Sequence, residues 1–171
     1  MYSVDEKDTV VQRNDLPQSS VGAPCPMVLS GEHLLHLAYY LEEREEGWGG
    51  STIRIVDEHS QEELCALVHF KHAIAHMFGP PNDEAFNGHP LAQRGLKPYS
   101  VFEVNESSWI RKLKHMNSVH PYHRPERFDK YRHYVFAFHD SVFECVAESF
   151  ELSIHRGSVS NIICDSLRRD S

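Results

Sequence analysis

The two alternating runs of HYVFAFHDSVFECVAESFEL, His133 to Leu152, constrain this chain more than any other feature. Side chains along a strand point to opposite faces in turn, so Tyr134, Phe136 and Phe138 share one face of the first run, and Phe143, Cys145 and Ala147 share one face of the second. A two-residue turn at Asp140 and Ser141 joins the runs as a hairpin, pairing Phe138 with Phe143, Phe136 with Cys145 and Tyr134 with Ala147. The other face then pairs His139 with Val142, Ala137 with Glu144, Val135 with Val146 and His133 with Glu148. A three-residue turn would set Phe136 against Glu144 and is rejected. One face of the sheet is therefore apolar, and the other carries imidazoles and carboxylates.

Other segments extend the sheet. His33–Leu41 reads as a strand, although its leucines also suit a short helix, and Thr52–Val56 is β-branched and alternating. Ser60 to Glu63 has the form of a capping box, but the alternation of Leu64, Ala66, Val68 and Phe70 favours a strand that runs on, extended, to the stop at Gly79-Pro80-Pro81. Tyr99–Val104 alternates as well. The period changes after Asn105: Ser107 can cap a helix over Ser108–Asn117, with Trp109, Ile110, Leu113 and Met116 on its buried face. A helical turn can start at Pro125. Several strands and one helix without regular βαβ alternation indicate an α+β fold: a mainly antiparallel curved sheet, open or partly closed into a barrel, with one principal helix packed on it.

Residues 1–26 are polar and punctuated by Ser and Pro, which predicts a disordered or loosely attached arm. Residues 27–156 then form a single α+β domain, and 157–171 a tail that frays or adds an edge strand through Ile162–Cys164. No apolar run reaches the roughly 18 residues of a membrane span, and the N-terminus has no apolar signal core, so the expectation is a soluble, cytoplasmic protein without a membrane partner. A net charge of -8 disfavours nucleic acid. The four cysteines form no Cys-x-x-Cys pair, and no glycine-rich nucleotide loop occurs.

The segment from His76 to Tyr99 is too long for an ordinary connection, and its Phe78, Phe86, Leu91, Leu96 and Tyr99 argue for order. It carries Asp83, Glu84, His89 and Arg94. Folded against the polar face of the hairpin, this loop would enclose a pocket for a small polar molecule. In that reading Asp83, Glu84, His139 and Glu144 do acid/base work, His139 being a base oriented by Glu144. His89, Arg94 and His133 contact the ligand. Asn82 or Asp83 also suits a plain structural cap. Histidine is abundant, with thirteen residues; protonating all of them would move the formal charge from -8 to +5. A divalent metal is a further possibility, with His69, His72, His76, His120 and His123 as candidate ligands, though Ala73 stands where the zinc-protease pattern needs Glu. The rival reading is a non-enzymatic acidic factor, an inhibitor, immunity or accessory protein, that binds a basic protein partner through Glu42–Glu46.

Overall fold

The computed structural model describes residues 2–43 and 55–169. Its strands are β1 (Thr9–Gln12), β2 (Met27–Ser30), β3 (Leu35–Tyr40), β4 (Leu64–Lys71), β5 (Ala75–Gly79), β6 (Val101–Asn105), β7 (Arg132–Ala137), β8 (Val142–Ala147) and β9 (Ser149–Arg156). The helices are α1 (Ser108–Asn117) and α2 (Val159–Arg169). The strands form two antiparallel sheets, ordered β1-β6-β7-β8-β5 and β2-β3-β4-β9. Among the described residues the fold is thus α+β, with two sheets and two helices and no closed barrel. Residues 52–54 of the strand expected over Thr52–Val56, and most of the acidic turn, lie outside the described residues, while Ile55 and Val56 are not in a strand.

Alternation explains why the sheets stack. Leu35, Leu37 and Tyr39 of β3 and Ala66, Val68 and Phe70 of β4 meet Tyr134 and Phe136 of β7 and Phe143, Cys145 and Ala147 of β8 in one buried cluster. Phe70 sits at its centre, with ring centroids 5.8 Å from Phe136 and 5.5 Å from Phe143. The remaining side chains of the same strands face outward and need their own cover. Ala38, Tyr40, Cys65 and Leu67 are covered by Val159 and Ile163 of α2. Phe102, Val104, Val135, Ala137, Val142 and Val146 are covered by Trp109 of α1, Tyr2, and Phe86, Leu91 and Leu96 of the long loop. β4 and β8 leave their sheets as β5 and β9. The ladder carries across the bend: Lys71 is registered with Ser149, Glu148 N–H donates to Lys71 O (3.0 Å), and Ile74 N–H donates to Val146 O (2.9 Å).

The hairpin keeps its faces but not its register. Phe136 pairs with Phe143, Val135 with Glu144 and His133 with Val146, because the turn falls at His139 and Asp140 and Phe138 N–H donates to Ser141 O (2.9 Å). Moving a two-residue turn by one residue slides the register by two, which leaves every side chain on its expected face. Glu148 is therefore not opposite His133; it lies at the bend and pairs with Lys130.

Three further expectations are corrected. Residues 2–26 are not a loose arm: β1 pairs with β6, Tyr2 and Leu16 are buried, and Asp8 accepts from Ser108 N–H at 2.7 Å at the start of α1. Few apolar residues suffice because hydrogen bonds carry the attachment. The C-terminal segment is neither frayed nor an edge strand but helix α2, whose Val159, Ile163 and Ser166 repeat on one buried face. Ser107 caps α1 as expected, accepting from Ile110 N–H, yet Met116 is 61% exposed, because the helix packs on the outer cluster through Trp109, Ile110 and Leu113 and Met116 is not part of that cluster.

Candidate functional site

β8 turns Val142, Glu144 and Val146 away from the core, toward the layer made by the N-terminal segment, α1 and the long loop. Val142 and Val146 meet apolar groups there. Glu144, buried with them, must find hydrogen-bond donors, since an unpaired buried carboxylate is very costly. Three arrive from three different segments. Tyr2 Oη donates to Oε2 at 2.6 Å, His133 Nε2 lies 2.9 Å from Oε2, and His89 Nε2 lies 3.3 Å from Oε1. Leu91 N–H donates to His89 Nδ1 (3.1 Å), so the His89 proton sits on Nε2 and points at Glu144. His133 Nδ1 shares a hydrogen bond with Ser107 Oγ (2.9 Å), which ties the cap of α1 to the same group. Tyr2 stacks on Trp109 with centroids 5.2 Å apart, and both rings meet His133 edge-on.

Burial alone would push the Glu144 carboxyl up, but the hydrogen bonds from His133, His89 and Tyr2 outweigh it and hold the group down to about 2. Burial and the adjacent Glu144 charge push the Tyr2 phenol well above its ordinary value, so it remains a donor. The result is a fixed buried anion.

Beside this anion lies a cavity of about 260 Å³, lined by Met77, Phe78, Pro80, Pro81, Pro90 and Val142, with His89 and Glu144 as its polar groups. Gly79 borders it at a φ of 150°, a conformation that favours glycine. The long loop reaches this position through two short 3-10 turns, Phe86–Gly88 and Ala92–Arg94, and through Asn82, which accepts from Ala85 N–H at 3.0 Å. Phe86, Leu91 and Leu96 pin it to the sheet.

The expected residues divide. Glu144, His89 and His133 come together. His139 is not oriented by Glu144: with the turn at His139, its Nδ1 lies 2.9 Å from Asp140 Oδ1 and its Nε2 4.0 Å from Asp83 Oδ2. Tyr99 Oη donates to Asp83 Oδ2 at 2.5 Å, and this hydrogen bond, aided by the nearby His139, holds the Asp83 carboxyl below its usual range. The hydrogen bond to Asp140 raises the His139 imidazole. Asp83, Tyr99 and His139 thus form a second polar group nearer the surface. Glu84 is exposed, and Arg94 reaches Asp5 O at 3.0 Å instead of a pocket.

Of the histidines considered for a metal, His69 packs on His36 with centroids 4.3 Å apart, and its Nδ1 lies 3.2 Å from Lys71 Nζ. His72 takes a positive φ at the sheet-changing bend, His76 stacks on Phe143, and His120 and His123 lie on the loop after α1. Among the described residues no group of three or more His, Cys, Asp or Glu side chains is placed to hold a metal ion, and both imidazoles beside Glu144 direct Nε2 at the carboxylate. No described helix is long and apolar enough to cross a membrane.

Sequence reasoning missed Tyr2, Ser107 and Tyr99 as members of these groups. The one available signal was an aromatic residue at the head of a polar segment. The chain matches no family model, no curated protein and no solved structure.

Proposed function

We propose that this protein binds a small organic molecule in the pocket between the 79–90 loop and strands β5 and β8, with Glu144 anchoring a cationic or hydrogen-bond-donating head group. The observation that carries this reading is a buried carboxylate held by three donors and opening onto a cavity whose walls, His89 apart, are apolar. Oε2 already accepts from Tyr2 and His133, whereas among the described residues Oε1 accepts only from His89, which leaves it acceptor capacity for a ligand. Met77, Phe78 and the prolines suit an apolar body, and a volume near 260 Å³, below the roughly 300–1,000 Å³ of drug-sized sites, suits a fragment-sized one. Glu144 acts as an anchor and not as a general base, because a carboxylate held near 2 is a weak base at neutral pH.

The test is ligand-observed NMR with benzamidine and phenethylamine, and with benzyl alcohol as the neutral comparison. The expected result is binding of the cations, at least about tenfold weaker binding of the alcohol, and loss of binding in Glu144→Gln. Phe78→Ser, at a position 46% exposed, keeps the fold and weakens the same binding. Equal binding of alcohol and cations, or no binding of either, refutes the proposal.

A further inference from the structure

Charge is unevenly spread along the chain. Residues 111–132 hold seven of its 17 Lys and Arg but only two of its 25 Asp and Glu, giving the segment +5 while the rest carries -13. Within it, eight consecutive residues from His115 to Tyr122 are exposed, including Met116 (61%), Val119 (89%) and Tyr122 (80%). Large exposed apolar side chains so close together in the chain, flanked in sequence by Lys112, Lys114, Arg124 and Arg127, point to a contact surface.

The surface is built, not slack. Ser118 N–H donates to His115 O and His120 N–H to Asn117 O, each at 3.0 Å, and His123 N–H donates to His120 O at 2.9 Å. His123 Nδ1 lies 2.8 Å from Asn117 Oδ1, and Phe128 packs between His123 and Tyr131. Between α1 and residues 128–132 lies a groove of about 420 Å³ whose cations are Arg111, Lys114 and Arg132. Arg111 pairs with Asp5, Lys114 with Asp129 and Arg132 with Glu103. Arg124 and Arg127, on the loop after α1, are exposed and form no salt bridge among the described residues.

From this we infer that the exposed end of α1 and the loop through Arg127 dock an acidic polypeptide segment, one whose carboxylates meet Arg124 and Arg127 while its apolar residues cover Met116, Val119 and Tyr122. Charge complementarity selects an acidic partner, and the distribution of charge selects a short one. A nucleic acid or an anionic bilayer extends past the patch and meets the net -13 of the remaining chain, at distances where repulsion acts within about one Debye length, ~8 Å at physiological salt. A peptide confined to the patch avoids that cost. A preformed surface also spares the partner the cost of ordering the loop.

The experiment is fluorescence anisotropy on the full chain with a labelled peptide of about 12 residues in which Glu and Asp alternate with Leu and Phe. Saturable binding is expected, at least about tenfold weaker in the Arg124→Glu, Arg127→Glu double variant and on raising salt from ~50 to ~300 mM. Val119→Ser with Tyr122→Ser, both at exposed positions, should weaken it several-fold while leaving the circular dichroism spectrum unchanged. Absence of saturable binding, affinity untouched by the charge reversal, or tighter binding to a single-stranded oligonucleotide or to phosphatidylserine vesicles than to the peptide overturns the inference.

Discussion

Replacing Tyr2 with Phe isolates the bond that fastens the N-terminal segment to the buried anion. The Phe ring keeps the stack on Trp109, and only the hydroxyl 2.6 Å from Glu144 Oε2 is lost. A hydrogen bond to a charged group contributes about 1.5–3 kcal/mol, so the expected loss at pH 7 is about 2 kcal/mol. Linkage supplies a second scale. The carboxyl falls from 4.5 to about 2 on folding even though burial opposes the fall, and at 1.36 kcal/mol per pH unit the donors' surplus over burial is about 3 kcal/mol. The sign follows from a depressed folded-state value: this stability is fully present above 4.5 and is lost as pH falls through about 2. The variant's deficit should therefore be largest at neutral pH and shrink in acid. Urea unfolding followed by far-ultraviolet circular dichroism measures it at pH 7 and pH 3, with an unchanged m value showing that the same unit unfolds. A loss under about 0.5 kcal/mol, or one equal at both pH values, refutes the argument.

Other outcomes follow from the same packing. Phe136→Ala, at the centre of the aromatic cluster, should cost about 3–5 kcal/mol, whereas Met116→Ser should stay within about 0.5 kcal/mol; urea midpoints decide both. Ile163→Ala should cost about 2–4 kcal/mol in the same assay, because α2 is the cover of the second sheet; a negligible loss would make the helix an appendage. In thiol titration of the folded protein, exposed Cys164 should react first. Cys65, pushed up to about 12 by burial, and Cys145, raised well above its ordinary value by complete burial, should react only on unfolding.

Much of the fold was legible where local chemistry and period agreed. Ser107 before Trp109, Ile110 and Leu113 gave α1 with its cap, and alternation through Leu64–Lys71 overrode the capping box at Ser60. The hairpin's faces were legible and its turn was not, because turns at His139-Asp140 and Asp140-Ser141 bury the same residues. That ambiguity misplaced His139, which leaves the sheet face for Asp140. Glu144 and His133 were legible as sharing a face, because parity alone puts them there, but their partnership was not: His133 was expected opposite Glu148, and Glu144 beside His139. Val159, Ile162, Ile163 and Ser166 did carry a helical period, obscured by the serines around them. The role of residues 2–26 was hidden for another reason: a segment held by two buried apolar side chains, Tyr2 and Leu16, one short ladder and scattered polar contacts through Asp5, Asp8 and Arg13 has no compositional signal. Its anchor, the donors on Glu144, depends on residues 142 positions apart meeting in the fold.

The measurement that tests the account most directly is the titration of Glu144 itself, followed through its side-chain carboxyl carbon by NMR in protein labelled with carbon-13 at glutamate, assigned by comparison with Glu144→Gln. A midpoint well below 4.5, near 2, is expected of an anion held by Tyr2, His89 and His133. A midpoint at or above 4.5 would mean that the carboxyl is neutral or weakly held, and would contradict the anchor on which the pocket's proposed ligand depends.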